Sequence, residues 1–190
     1  HAGCVDAFRQ HVAEVTASRR EAVAGGAGGA SSGEAAAGST AAASSSSLGS
    51  LPAEAAKAVV DGDEAALLAW LDSDGQVNAT CGVGNVSGIT ALMLAASSGH
   101  ERVVDLLLQR GAEIDMQSIS GGTALMGAAY YGHARVVDML LQHGADVNLQ
   151  KSDGFTALMN AATNGHARVA ELLLQRGAGI NKQNSRGGTA

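Results

Sequence analysis

Between Thr123 and Gln150 the apolar residues change spacing in a way that marks three elements. In "ALMGAAYY", Leu125, Ala128 and Ala129 fall at i, i+3 and i+4, a narrow face whose alanines permit close helix approach. Thr123 stands just before this run, where its hydroxyl accepts from a first-turn N–H. Gly132 stands just after it, where the chain turns left-handed without strain. In "ARVVDMLLQH", Val136, Val137, Leu140 and Leu141 follow at i, i+1, i+4 and i+5, a second helical stripe that Gly144 ends. "ADVNLQKSDG" has no helical period and contains a turn-forming "SDG". The pattern predicts helix, turn, helix, then a hairpin-like loop.

The same unit recurs every 33 residues: Thr90, Thr123, Thr156 and Thr189 keep that step (123 − 90, 156 − 123, 189 − 156). So do Gly88, Gly121, Gly154 and Gly187, the pairs Gly99-His100, Gly132-His133 and Gly165-His166, and Gly111, Gly144 and Gly177. One unit cannot bury both faces of its helices, whereas stacked copies supply each other's missing wall. The predicted fold is an all-α repeat, a solenoid of stacked helix-turn-helix units joined by hairpin loops.

The string G-x-T-A-L-M-x-A-A-x-x-G-H-x-x-V-x-x-x-L-L-x-x-G-A-x-[VI]-[ND] resembles the ankyrin repeat, whose period is also about 33. The resemblance covers repeats at 85–117, 118–150 and 151–183, with 184–190 opening another. Upstream, "GDEAALLAWLDSDGQVN" (Gly62–Asn78) aligns with "GHERVVDLLLQRGAEID" (Gly99–Asp115). The segment 51–84 therefore reads as a degenerate capping repeat, so the repeat domain spans 51–190. Its loop is longer, with 12 residues from Asn78 to Thr90 against 8 from Asp115 to Thr123. The family's T-P-L-H reads T-A-L-M here, at Thr90–Met93, Thr123–Met126 and Thr156–Met159. Losing the proline removes a preset helix-start angle, and methionine fills the space.

Before the array the pattern fades. Val5, Phe8, Val12 and Val15 share one face of a short amphipathic helix within residues 1–23. Residues 24–50 are almost wholly Ala, Gly and Ser, too little apolar area to offset the entropy of ordering; a disordered linker is expected. The aromatic share is only 3%, so the ordered part must pack thin layers of Ala and Leu. A formal net charge of −6 opposes binding to a phosphate backbone, so no nucleic-acid partner is expected. No run of about 18 apolar residues exists, so no membrane span is expected. Cys4 and Cys81 lie far apart in no ligand spacing and read as reduced thiols, which suits the cytoplasm, with the nucleus as the alternative.

Three histidines in register suggest a metal, but one per repeat places them about 10 Å apart, too far to share an ion. The resemblance gives this histidine a structural role, bonding backbone near the hairpin. Arg102, Arg135 and Arg168 each have an acid three residues on (Asp105, Asp138, Glu171), which predicts i, i+3 pairs on one solvated face. Asn78, Asp115, Asn148 and Asn181 recur at loop starts, where such side chains bond backbone. No triad, phosphate loop or paired carboxylates appear, so the chain reads as non-enzymatic, with no metal and no cofactor.

The letters that change while the frame holds lie at the loop tips, before each Thr, and before each Gly-His. In ankyrin stacks, by resemblance, those positions face a concave groove that holds protein partners. The candidate partner-binding residues are Ile119, Ser120, Tyr130, Tyr131, Ser152, Asp153, Phe155, Thr163, Asn164 and Arg186. Tyr130, Tyr131 and Phe155 are the expected anchors, because aromatics dominate binding hot spots. Asp153 and Arg186 are expected to set charge preference. The expected function is a protein-binding scaffold or adaptor; the alternative is the substrate-recruiting arm of a larger kinase or ubiquitin-ligase component. The chain stops in mid-motif without a polar closing repeat, which predicts poor solubility, and a monomer once closing repeats are present.

Overall fold

The computed structural model describes residues 49–83 and 86–190. The helix expected within 1–23 and the linker over 24–48 lie outside the described residues. The end of that expected linker is pinned: Gly49 donates to Gln76 Oε1 at 2.7 Å, and Ser50 bridges Thr80.

Eight helices are found among the described residues, in four pairs. They are α1 (Ala53–Asp61) and α2 (Glu64–Asp72), α3 (Ala91–Ser98) and α4 (Glu101–Gln109), α5 (Ala124–Tyr131) and α6 (Ala134–Gln142), then α7 (Ala157–Thr163) and α8 (Ala167–Gln175). First helices pack on first helices along the stack, and from α4 onward second helices pack on second helices. The expected all-α ankyrin-type solenoid is what the chain forms.

The helix limits follow from the expected residues. The hydroxyls of Thr90, Thr123 and Thr156 accept from the N–H three residues on, at 3.2, 3.3 and 3.2 Å. α1 and α2 begin on Pro52 and Asp63 instead, and the Asp63 carboxylate accepts from Ala66 N–H. Gly132 closes α5 at φ +79°. α7 stops one residue early, on Asn164, with φ −96° and ψ 4° in place of a left-handed glycine.

The core is one continuous layer of Ala, Val, Leu and Met. The stripe Val136, Val137, Leu140 and Leu141 is buried, and so are Leu107 and Leu173. The first helices α3 and α5 are buried nearly all round rather than on one face, with Ala124, Leu125, Met126, Ala128 and Ala129 all enclosed between neighbouring repeats, whereas α1 keeps Glu54, Lys57 and Asp61 exposed. Met93, Met126 and Met159 are buried, so methionine does fill the space at each helix start.

The long loop of the capping repeat folds differently from its counterparts. It forms an antiparallel hairpin of β1 (Thr80–Val83) and β2 (Val86–Thr90), pairing Thr80 with Thr90 and Cys81 with Ile89, with an irregularity before Val83–Val86. The extra residues are long enough to close a ladder. Later loops close only the turn, as when Lys151 N–H donates to Phe155 C=O at 2.9 Å.

Burial falls away at the last unit. Leu141 is 9% exposed but its counterpart Leu174 is 44%, and Val147 is 8% exposed but Ile180 is 53%. In the earlier repeats the matching residues, Leu108 and Ile114, then Leu71 and Val77, are half-buried against the core.

Candidate partner-binding face

The recurring polar residues are consumed in holding one repeat to the next. Nε2 of His100, His133 and His166 donates to the carbonyls of Val60, Ser97 and Tyr130, at 2.8, 3.1 and 3.0 Å, each in the preceding first helix. Asn78 Oδ1, Asp115 Oδ1 and Asn148 Oδ1 accept from the N–H of Glu113, Asp146 and Gly179 at 2.9, 3.0 and 2.8 Å. Those bonds are to backbone, as expected, but they cross to the following repeat. Asn181 is exposed.

The arginine ladder departs from expectation. Arg102 pairs with Glu64 at 3.8 Å and Arg135 with Glu101 at 3.2 Å, both in the preceding repeat; only Arg168 pairs at i, i+3, with Glu171 at 3.4 Å. The reason lies in the acid column. The residue matching Glu101 one repeat later is Ala134 (101 + 33), so Arg168 has no acid behind it and turns to its own helix. Asp138 is held instead by Arg176 of the following repeat at 3.0 Å, and by Gln142. All three arginines are at least 70% exposed, so the face is solvated and each bridge contributes little.

The loop tips form their own ladder. The N–H groups of Ile119, Ser152 and Ser185 donate to the carbonyls of Ser87, Ser120 and Asp153, at 3.0, 3.1 and 2.9 Å. This needs backbone against backbone. A Cβ on Gly154 would stand 2.7 Å from Asn184 Cα, and its φ of +79° is equally closed to other residues. Among the candidates, Ile119 is presented outward at 77% exposure, Ser152 and Arg186 are exposed, and Ser120 Oγ bonds Ser118 Oγ.

Tyr130 and Tyr131 meet edge to face with ring centroids 5.1 Å apart, and Tyr131 also stacks on His133. Both are partly buried, and Tyr131 packs on the core. They border a cavity of about 80 Å³ that opens to solvent between α3, α5 and α7. Its walls include Met93, Met126 and Gly127, with Lys151 at its loop side. Lys151 is the link to the remaining candidates: Nζ lies 3.1 Å from Asp153 and 5.8 Å from the centre of the Phe155 ring, within cation–π range. Burial raises the Asp153 carboxyl. The hydrogen bonds from Lys151 and the Phe155 N–H, with the lysine's charge, outweigh that and hold it below its ordinary range. The two tyrosines thus lie on the cavity, with Asp153 and Phe155 one lysine away. Thr163 and Asn164 are exposed on the next repeat.

Two participants escaped the sequence reading. Lys151 has a side chain only 10% exposed, in a column where Ser118 and Asn184 are short and polar. Gly127 stands mid-helix between its counterparts Leu94 and Asn160, at a cost of about 0.5–1 kcal/mol relative to alanine. Each differs from its own column, and comparing columns as well as spacings reveals both.

Among the described residues no helix is long and apolar enough to cross a membrane. A family model described as ankyrin repeats (3 copies) matches residues 53–151 and 92–184. No curated protein matches the chain.

Proposed function

The chain belongs to the ankyrin repeat family, and on that premise we propose that it is a non-enzymatic scaffold holding a partner protein along the face that bears Tyr130 and Tyr131. Ankyrin repeats are in general protein-interaction modules and typically non-catalytic. One observation carries the proposal further: the recurring histidines and threonines are engaged in helix starts and inter-repeat bonds, while the non-recurring tyrosines gather at one open cavity. Chemistry would need polar groups held ready for a substrate, whereas binding needs aromatic area on a rigid frame. Asp153 and Arg186 supply charge on adjoining loop tips, and Ile119 adds apolar contact at the rim.

The test is proximity labelling with the full chain, against the variant Tyr130→Ala/Tyr131→Ala/Phe155→Ala, with both proteins' melting followed alongside. The expected result is a set of labelled proteins lost in a variant that still melts cooperatively. An unchanged set from a folded variant overturns the proposal. A substrate-recruiting arm of an enzyme would use the same face, and the identity of the labelled proteins separates that role from an adaptor's.

A further inference from the structure

Gly127 stands out from its own column. It lies within α5 and needs no left-handed backbone, and in its column the preceding repeat has Leu94 and the following one Asn160. A Cβ on Gly127 would stand 2.3 Å from Ser97 Oγ and 3.8 Å from the Met93 carbonyl. The cavity of about 80 Å³ lies beside this close approach, with Ser97, Gly127 and both tyrosines on its lining.

The walls are held in place. Leu94 is 2% exposed and Asn160 8%, and the Asn160 amide donates to the Met126 carbonyl at 3.3 Å across the repeat boundary. Met93 and Met126 present unbranched thioethers, which adapt readily to an inserted methyl group. The volume is about half that of an engineered cavity of about 150 Å³ that takes benzene. It therefore suits a branched aliphatic group better than an aromatic ring.

Charge narrows the choice further. The helix residues around the cavity, Ser97, Tyr130, Tyr131 and Asn160, carry hydroxyl and amide groups rather than carboxylates, ammonium or guanidinium groups. The charged group on the lining, Lys151, is already paired with Asp153 at 3.1 Å. A charged side chain entering here would lose water and find no unpaired opposite charge.

We propose that the cavity at Gly127 receives one branched aliphatic side chain, Leu, Ile or Val, from an uncharged extended segment of a protein partner. This rests on the reading of the tyrosine-bearing face as the partner-binding one. The cavity acts as a socket, and the two tyrosines flank the backbone of the inserted segment.

The test is selection of random 12-residue peptides displayed on phage against the full 190-residue chain. Binding of the selected peptides is then measured to the wild type, to Gly127→Leu/Ser97→Ala, and to Tyr130→Ala/Tyr131→Ala. The first variant refills the column as Leu94 does and removes the hydroxyl that the new Cβ would meet. Its melting should be at or above that of the wild type. If it fails to fold, Gly127→Ala/Ser97→Ala replaces it, shortening the socket by one methyl. The expected peptides share one Leu, Ile or Val among uncharged neighbours and bind the refilled variant at least tenfold more weakly. Changing that peptide residue to Ala should cost a similar factor, with little further loss when both changes are combined. Peptides that bind the wild type and the refilled variant alike, yet are lost on Tyr130→Ala/Tyr131→Ala, overturn the socket and leave the binding face intact. Peptides insensitive to both variants, or no enrichment at all, overturn both. A shared charged or aromatic residue at the sensitive position overturns the aliphatic assignment.

Discussion

The imidazole of His166 occupies the space that a side chain on Gly132 would fill: a Cβ there would stand 2.5 Å from Nδ1. The same contact joins Gly99 to His133 at 2.6 Å and Gly62 to His100 at 2.9 Å. Each Gly-His pair is thus one half of two different joints. The glycine receives the following repeat's ring while the histidine reaches back to the preceding one.

Gly165 separates the two duties of that glycine. It has nearly the same φ as Gly132, +73° against +79°, but no atom within 4 Å of its Cβ position. Gly165→Ala should cost only the left-handed strain, about 1–2 kcal/mol. Gly132→Ala should add loss of the histidine bond, about 1 kcal/mol more. Urea unfolding of both variants measures the difference, and equal losses would show that the ring contact contributes nothing.

Burial by a neighbour also separates two equivalent leucines. Leu141→Ala, at a position only 9% exposed, should cost about 2–5 kcal/mol. Leu174→Ala, 44% exposed, should cost less than about 1 kcal/mol. If a copy of residues 125–150 is fused after Ala190, the counterpart of Ala124 (190 − 124 = 66, two repeats), the Leu174→Ala cost should rise toward about 2 kcal/mol or more. A cost that stays small in a folded fusion would mean that the added unit does not dock.

The helix starts make a simpler case. Thr123→Ala removes the acceptor of the Met126 N–H, a buried bond of 3.3 Å, and should lower stability by about 1 kcal/mol. Thr123→Ser should recover most of that loss. Thermal melts of the two variants decide it.

Asp153 predicts a pH dependence of definite sign. Its carboxyl is held below the ordinary value of 3.8 in the folded chain, so the unfolded chain binds that proton more tightly. The associated stability is fully present above the ordinary value and is lost as pH falls through the lowered one. Comparing urea midpoints at about pH 6 and about pH 3, the fall on acidification should be smaller in Asp153→Asn than in the wild type. The effect is small because the side chain is 49% exposed and solvent screens it. Identical falls in both proteins would sever Asp153 from the acid response.

The repeat period, the helix limits, the buried stripes and the threonine caps were all readable from the residues. Apart from the 33-residue period itself, each depends on neighbours within about one helical turn, where spacing alone dictates geometry. That is why Val136, Val137, Leu140 and Leu141 could be placed on one buried face before any fold was known. The tertiary structure decided what crosses between repeats. It set Arg135 on Glu101 rather than Asp138, Asn148 on the N–H of Gly179, and Lys151 beside both Phe155 and the cavity that Gly127 lines. Those contacts depend on how far one helix pair is offset from the next, a quantity set by the packing of many side chains at once. No short stretch of sequence carries it.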